Sequence, residues 1–191
     1  MQKTDPRYQQ YIQILHEELR PAMGCTEPIA IAYAAAKARE TLGKRPERLL
    51  IEVSGNIIKN VKSVVVPHTG GLRGIPAAAA AGVVAGDANA ELEVLSNVTK
   101  ERIPEMADYL ENTPIEVRYA DTEHIFDIMI TAYAGADESF VRIVDFHTNL
   151  VTVRKNADML LDRKAERSEE TLTDRTCLSV EGIVDFTQHY Q

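Results

Sequence analysis

The sequence contains very few cysteines and no long apolar run. Only Cys25 and Cys177 occur among 191 residues, far too few for a disulfide scaffold. No uncharged apolar stretch approaches the length of about 18 residues that a membrane-spanning helix needs, so we expect no membrane span. The first ten residues, MQKTDPRYQQ, lack the apolar core of a secretory signal peptide. The cytoplasm is therefore the expected location.

Basic residues are in the minority. Lys and Arg total 21 against 29 Asp and Glu, which gives a formal net charge of −8. Nucleic-acid-binding domains usually have the opposite balance, so we expect no nucleic-acid partner. Hydrophobic residues make up 45% and charged residues 26% of the chain, which is ordinary for a globular protein. The length corresponds to one domain or one and a half.

Several segments have apolar residues at three- and four-residue spacing, which predicts helices. These predicted helices cover residues 8–20, 26–43, 76–86, 99–111 and 180–190. The helices at 26–43 and 76–86 are rich in alanine and have no bulky face. A helix of small residues can approach a neighbour closely, so we place the first of them inside the fold.

Alternating apolar and polar residues predict strands in the second half of the chain. Four such segments, separated by turn residues, indicate an antiparallel meander: 115–119, 125–133, 139–146 and 149–153. Residues 49–53 predict one further strand and residues 92–95 a short one. The segment 54–66 is ambiguous between helix and strand. Residues 154–175 contain twelve charged side chains, which is typical of a solvated linker or an exposed helix.

The motif Gly24-Cys25-Thr26-Glu27-Pro28 places a thiol at the start of a predicted helix. Unpaired backbone amides and the helix dipole stabilise an anion there, so Cys25 is expected to favour the thiolate, the form that binds metals. The alternative is a buried cysteine that acts as a small hydrophobic residue. Cys177 lies in the charged region, and we interpret it as incidental.

A glycine-rich loop, His68-Thr69-Gly70-Gly71-Leu72-Arg73-Gly74, leads into the second alanine-rich helix. Backbone amides of such a loop can enclose a carboxylate or phosphate. The spacing differs from both the Walker loop and the dinucleotide fingerprint. It therefore indicates a small-anion site, with the free amides expected between Gly71 and Ile75 and at Ala77. The alternative is a loop that needs glycine only for its backbone conformation.

Two further groups of polar residues are candidates for binding. Asn56 and Lys59, in the segment after the first strand, could bind a carboxylate or polarise a carbonyl, although a solvated helix also accounts for them. His147-Thr148-Asn149 lies between two predicted strands, and its composition suits a hairpin turn.

Four of these segments together resemble the bacterial L-cysteine desulfidase family, which is related to the alpha chain of iron–sulfur L-serine dehydratases. The resemblance is carried, in order, by the runs MGCTEPIAIAYAAA, SGNIIKNVKSVVVP, TGGLRGIPAAAAAGVVAGD and HTNLV. It implies an enzyme that holds a four-iron four-sulfur cluster and eliminates hydrogen sulfide or water from a small amino acid, giving pyruvate and ammonia.

By that resemblance, Cys25 is the first cluster ligand and the only metal ligand assigned here. The substrate side would be lined by residues of the glycine loop and the preceding segment: Asn56, Thr69, Gly70, Gly71, Arg73 and Gly74. The general base is not identified, and Lys59 and His68 are the candidates. Family members are roughly twice as long as this chain, and their other cluster cysteines lie in the second half. The isolated chain is therefore expected to be inactive.

The overall expectation is an α+β chain. Residues 1–86 would form the N-terminal part of a mainly helical catalytic core with alanine-rich helices, and residues 87–155 an α/β module with an antiparallel sheet. Residues 156–191 would form a charged linker and the start of a helix leading into a missing C-terminal half or partner subunit. A homo-oligomer is a further expectation. The alternatives in function are a non-catalytic module that binds a small anion without metal and an inert fragment.

Overall fold

The computed structural model describes residues 1–19, 22, 24–165 and 173–189, which form two compact units. One unit comprises residues 22–165 and the other combines the two ends of the chain. The helices are α1 (Pro6–Glu18), α2 (Thr26–Leu42), α3 (Gly55–Val61), α4 (Gly74–Ala85), α5 (Arg102–Asn112) and α6 (Val180–His189). The strands are β1 (Arg48–Val53), β2 (Ile115–Tyr119), β3 (Asp127–Ala134), β4 (Asp137–Val144), β5 (Leu150–Lys155) and β6 (Asp158–Asp162). This confirms the α+β class.

The strands of the larger unit form one mixed sheet in the order β2-β1-β3-β4-β5-β6. From β1 through β3 to β6, every neighbouring pair is antiparallel, whereas β2 pairs with β1 in parallel. The meander is thus confirmed for the three predicted strands after residue 125. It is wrong for residues 115–119. Alternation reveals which face of a strand is buried but not its partner, and the connection through α3, α4 and α5 returns β2 alongside β1.

The two alanine-rich helices pack against each other, and α2 also contacts β3 and β4. Alanines 30, 32, 34–36 and 38 in α2 and 77–81 in α4 are buried. The contact is so close that a Cβ atom built on Gly82 would lie 2.1 Å from the Ala32 carbonyl oxygen. The expectation that the first of these helices lies inside the fold is confirmed. Helix α4 begins at Gly74, two residues before the predicted start at Pro76.

Three segments differ from their predicted conformation. The ambiguous stretch 54–66 becomes helix α3, followed by a single antiparallel bridge between Val65 and Arg73. The short strand predicted at 92–95 is instead a 3-10 turn at Glu91–Glu93. The charged stretch 154–175 contains the edge strand β6, whose three central residues are apolar and whose backbone pairs with β5. Part of that stretch, residues 166–172, lies outside the described residues.

The strand order of the sheet determines where the chain can be divided into domains. Strand β1, from the first half, lies between β2 and β3 in the sheet, and β6 lies at its edge. The boundary predicted between residues 86 and 87 consequently falls inside the larger unit. Strand β6, Asp158–Asp162, belongs to the sheet of that unit rather than to a linker. No helix in the described ranges is long and apolar enough to cross a membrane.

The terminal unit is built around the aromatic side chains of α1 and α6. The Phe186 ring lies 5.2 Å from the ring centres of both Tyr8 and Tyr11. The ammonium group of Met1 donates to the Asp185 carbonyl oxygen at 2.9 Å and forms an ion pair with the Asp185 carboxylate. Helix α6 matches the prediction for residues 180–190 as far as His189.

Candidate functional site

Cys25 lies immediately before the first residue of α2, as the motif predicted. It occupies the N-cap position with an extended backbone and is exposed. Its Sγ atom donates a hydrogen bond to Glu27 Oε2, and the two atoms are 3.2 Å apart. The thiol is therefore linked to a carboxylate on the first turn of the same helix.

The expected shift of Cys25 toward the thiolate is reversed. Burial raises the pKa of the Cys25 thiol, and the hydrogen bond to Glu27 and the charge of that carboxylate raise it further. The helix N-terminus does favour an anion, but Glu27 already supplies one there. A second negative charge beside the first is unfavourable.

Glu27 connects α2 to α3. Its Oε1 atom accepts a hydrogen bond of 3.4 Å from Asn60 Nδ2, while Oε2 accepts the thiol. Burial raises the pKa of Glu27, but hydrogen bonds from Cys25, from its own backbone amide and from Asn60, together with the charge of His147, outweigh burial and lower it overall. Glu27 is consequently a half-buried carboxylate held in its anionic form.

His147 lies in the turn between β4 and β5, and its charge interacts with that of Glu27. This turn is closed by Asn149, whose side-chain amide donates to the Val144 carbonyl oxygen at 2.9 Å, so the hairpin-turn interpretation of residues 147–149 is confirmed. The imidazole packs on Phe126, with ring centres 4.6 Å apart. Its Nε2 atom is buried and has no hydrogen-bond partner among the described residues.

Burial lowers the pKa of His147, and the charge of Glu27 opposes that effect without cancelling it. The ring is thus neutral near pH 7. A neutral imidazole carries one donor and one acceptor nitrogen, and leaving a buried polar atom unpaired costs about 1–3 kcal/mol. The unpaired Nε2 atom is therefore an unfavourable feature of this turn.

The glycine loop lies beside the Cys25 loop, since a Cβ atom built on Gly24 would lie 3.4 Å from Pro67 Cγ. Within the loop, Gly70, Gly71 and Gly74 have positive φ angles of 71°, 104° and 86°. A Cβ atom on Gly71 would meet nothing within 4 Å, so this residue faces open space. The structure thereby brings the first two sequence motifs together.

Much of the predicted anion-binding capacity of the loop is used internally. The Gly74 amide donates to the Val64 carbonyl oxygen at 3.1 Å, so its prediction as a free donor is wrong. The fully buried Thr69 donates its hydroxyl to the Val66 carbonyl oxygen at 2.7 Å. The Arg73 guanidinium donates to the Ser63 carbonyl oxygen at 3.1 Å. These bonds hold the loop in shape.

The other predicted residues are exposed. Asn56 and Lys59 lie on α3, the helix that carries Asn60. His68 is exposed at the tip of the loop, with a positive φ angle of 60°. Lys59 and His68 remain predictions as general bases.

The sequence did not reveal that Asn60 forms a hydrogen bond with Glu27 or that His147 interacts electrostatically with Glu27. Glu27 stands inside the recognised motif and Asn60 beside Lys59, but more than a hundred residues separate His147 from Glu27. The sequence shows only that His147 lies in a turn next to an apolar strand, and this pattern does not identify the residues close to it in space.

The described residues do not by themselves fit an iron–sulfur cluster. Such a cluster is usually held by about four cysteine thiolates. Cys177 belongs to the terminal unit, where its Sγ atom contacts the Asp174 carbonyl oxygen at 3.4 Å. In the described ranges, no group of three or more His, Cys, Asp or Glu side chains could hold a metal ion. Within the larger unit, Cys25 is the one cysteine.

Fold and site together define an α+β protein with a polar cluster that links the start of α2 to α3. Similar proteins are called UPF0597 proteins, a name that states no activity. One from Desulfitobacterium hafniense (strain Y51) is 50% identical over 187 residues, which cover 97% of this chain and 44% of the relative. One from Treponema denticola is 44% identical over 182 residues, covering 94% of this chain and 42% of the relative.

A third, from Shewanella sp. (strain MR-7), is 39% identical over 185 residues, which cover 96% of this chain and 43% of the relative. The chain thus spans less than half the length of these relatives. No protein-family model and no solved structure matches it.

Proposed function

We propose that this chain forms part of an iron–sulfur-dependent amino-acid lyase of the L-cysteine desulfidase or L-serine dehydratase type. The reaction would convert a small amino acid to pyruvate, ammonia and either sulfide or water. The main support is the cluster at the start of α2, where an exposed thiol meets a carboxylate and an amide near a neutral imidazole. The motifs that resemble this enzyme family contain all four of these residues.

The proposal requires cluster ligands beyond the described residues. Cys25 could supply one thiolate, and the relatives contain more than twice the length aligned here. We therefore propose that the remaining cysteines come from a further segment or a partner subunit.

Elimination from an amino acid needs a fixed substrate and a group that accepts the α-proton. Glu27 is anionic and held between Cys25 and Asn60, so it can orient a cationic group. His147 is neutral, so its acceptor nitrogen can form a hydrogen bond with the substrate. The glycine loop lies beside the Cys25 loop, and the exposed Gly71 leaves room for a substrate carboxylate. Glu27 would thus bind the ammonium group of a zwitterionic amino acid, and the glycine loop would bind its carboxylate.

The test is anaerobic reconstitution with iron and sulfide. It should be performed on this chain and on a longer protein that joins it to the segment present in its relatives. The longer protein should show a cluster band in its visible spectrum and produce pyruvate from L-cysteine or L-serine, whereas this chain alone should not. Absence of both band and pyruvate from the longer protein would contradict the proposal.

Cys25→Ser in the longer protein should abolish the band and the activity, and Cys177→Ser is the matched control. Cys177 lies in the terminal unit and should be dispensable for both. Equal loss in both variants would remove the special role assigned to Cys25.

The cellular location follows from the same chemistry. We propose a cytoplasmic protein, because free thiols and cluster cysteines persist where disulfides are rare. Fractionation of cells that express the longer protein would test this, with the protein expected in the cytoplasmic fraction.

A further inference from the structure

We propose that the end of the sheet carrying Tyr119 and Ile125 is a docking surface for the further segment present in the relatives. This inference deepens the proposed function, on which it rests, by naming the face of this chain that meets that segment. The contact surface of the segment would be apolar, with basic side chains at its margin.

The docking surface is formed by strongly exposed apolar side chains. Among the described residues of the larger unit, Ile125 and Tyr119 have the most exposed large hydrophobic side chains, at 76% and 64%. Phe146, in the turn after β4, is 43% exposed. A single exposed apolar residue is common on a protein surface, whereas several adjoining ones indicate an interaction site.

Hydrogen bonds and strand pairing place these three residues at the same end of the sheet. Strand β2 ends at Tyr119 and pairs in parallel with β1. Ser54, the residue after β1, donates its hydroxyl to the Ile125 carbonyl oxygen at 2.7 Å. The amide of Asp145, next to Phe146, donates to the carbonyl oxygen of the residue after Ile125 at 2.9 Å. Neighbouring strands lie about 4.8 Å apart, so the ends of these four strands span roughly 14 Å.

The loop that presents Ile125 is fixed by side-chain hydrogen bonds. The Thr122 hydroxyl donates to the Asp127 carboxylate at 2.9 Å. The His124 Nδ1 atom lies 3.0 Å from Asp145 Oδ1. The apolar side chain is therefore exposed on an ordered loop, and an ordered surface loses little conformational entropy when a partner binds.

The docking surface lies close to the candidate functional site, because α3 connects them. A Cβ atom built on Gly55, the first residue of α3, would lie 3.4 Å from Tyr119 Cε2. In the last turn of α3, Asn60 donates to Glu27, which accepts the thiol of Cys25. A helix of seven residues is roughly 10 Å long. A protein segment bound to the docking surface could therefore also reach the exposed Cys25.

The relatives contain a segment large enough to cover this surface. In the relative from Desulfitobacterium hafniense, the 187 aligned residues are 44% of the length, which leaves about 240 residues outside the alignment. A second copy of this chain is less suitable, because the loop also carries the exposed residues Asp121 and Glu123. In a two-fold dimer the same patch meets itself, so these carboxylates would face like charges. Lysine or arginine side chains on the segment would instead complement them.

The experiment is hydroxyl-radical footprinting with mass spectrometry on the 191-residue chain and on the longer protein, both without iron. We expect Tyr119 and Ile125 to be modified roughly five-fold or more slowly in the longer protein, because the centre of an interface excludes water. Met159 is the internal control, since it is 53% exposed on β6, at the opposite edge of the sheet from β2, and should react equally in both proteins.

Two results would overturn the assignment. One is an equal rate of modification at Tyr119 in the two proteins. The other is protection of Tyr119 in the 191-residue chain by itself that is lost on dilution, which would identify a second copy as the occupant.

Variants of the longer protein then test the surface directly. Ile125→Lys should return the modification rate of Tyr119 to the value in the 191-residue chain. Leu160→Lys is the matched control, because Leu160 is 60% exposed on β6, and it should leave Tyr119 protected. Circular dichroism shows whether each variant has folded. If a variant does not fold, the comparison of the two unmodified proteins decides the question.

The docking surface and the lyase function can fail separately. Protection of Tyr119 in a longer protein that gives no cluster band and no pyruvate after reconstitution would retain the docking surface and reject the lyase. Lyase activity in a longer protein whose Tyr119 is as reactive as in the 191-residue chain would retain the lyase and reject the docking surface.

Discussion

Replacing Gly82 by alanine should disrupt the contact between the two alanine-rich helices. A Cβ atom at Gly82 would lie 2.1 Å from the Ala32 carbonyl oxygen and 2.8 Å from the Ala32 carbonyl carbon and Cα atom. Real Cβ contacts essentially never fall below 3.0 Å. The obstacle is backbone inside α2, which no side-chain rotation can relieve, so the helices must separate by about 0.9 Å (3.0 minus 2.1).

The cost follows from the extent of that contact. Overpacking a core typically costs 1–3 kcal/mol. Because α2 and α4 must part along their shared length, where alanines 30–38 and 77–81 are mostly buried, we expect about 3 kcal/mol, the upper end of that range. For a unit of this size, such a loss corresponds to a fall in Tm of roughly 6–12 °C.

The assay is urea unfolding followed by circular dichroism, since the chain has no tryptophan for fluorescence. Gly55→Ala is the matched control: its new Cβ atom would lie 3.4 Å from Tyr119 Cε2, an ordinary contact. Alanine is also the better helix former, so this variant should be neutral or slightly more stable. A Gly82→Ala variant within 0.5 kcal/mol of the wild type would refute the argument from close helix packing.

Three further predictions concern single side chains. Arg142→Met should lower the free energy of unfolding in urea by about 3–5 kcal/mol. The Asp127 carboxylate is fully buried, and the variant removes the guanidinium that contacts it at 2.7 and 3.0 Å. A loss below 1 kcal/mol would contradict this reasoning. Burial raises the pKa of Tyr109 to about 12 from 10.0. The neutral Tyr109 side chain therefore stabilises the fold below pH 10, and the free energy of unfolding should fall as the pH rises toward 12. In Tyr109→Phe, this fall in the free energy of unfolding should be smaller. In a variant whose only thiol is Cys25, Glu27→Gln should lower the thiol pKa and speed alkylation at pH 8, and an unchanged rate would show that Glu27 does not control the thiol.

Local sequence signals determined most of the secondary structure. Alanine runs predicted helices that pack closely, because only small side chains let two backbones approach, and Gly43 ends α2 with a left-handed backbone. Alternation identified the strands of the meander, since it reports which face is buried. Cys25 was correctly placed at a helix start, because Thr26, Glu27 and Pro28 suit a first turn.

Tertiary structure decided what those signals leave open. Periodicity does not specify a strand's partner, so the parallel pairing of β2 with β1 depends on how the intervening helices pack. The pKa of Cys25 shifts opposite to the expected direction because the thiol is partly buried and because a carboxylate shares its helix end. Most of all, Glu27 and Asn60 are distant in sequence and form their hydrogen bond only when α2 and α3 pack together. Their shared chemistry is a property of that packing, which no local pattern encodes.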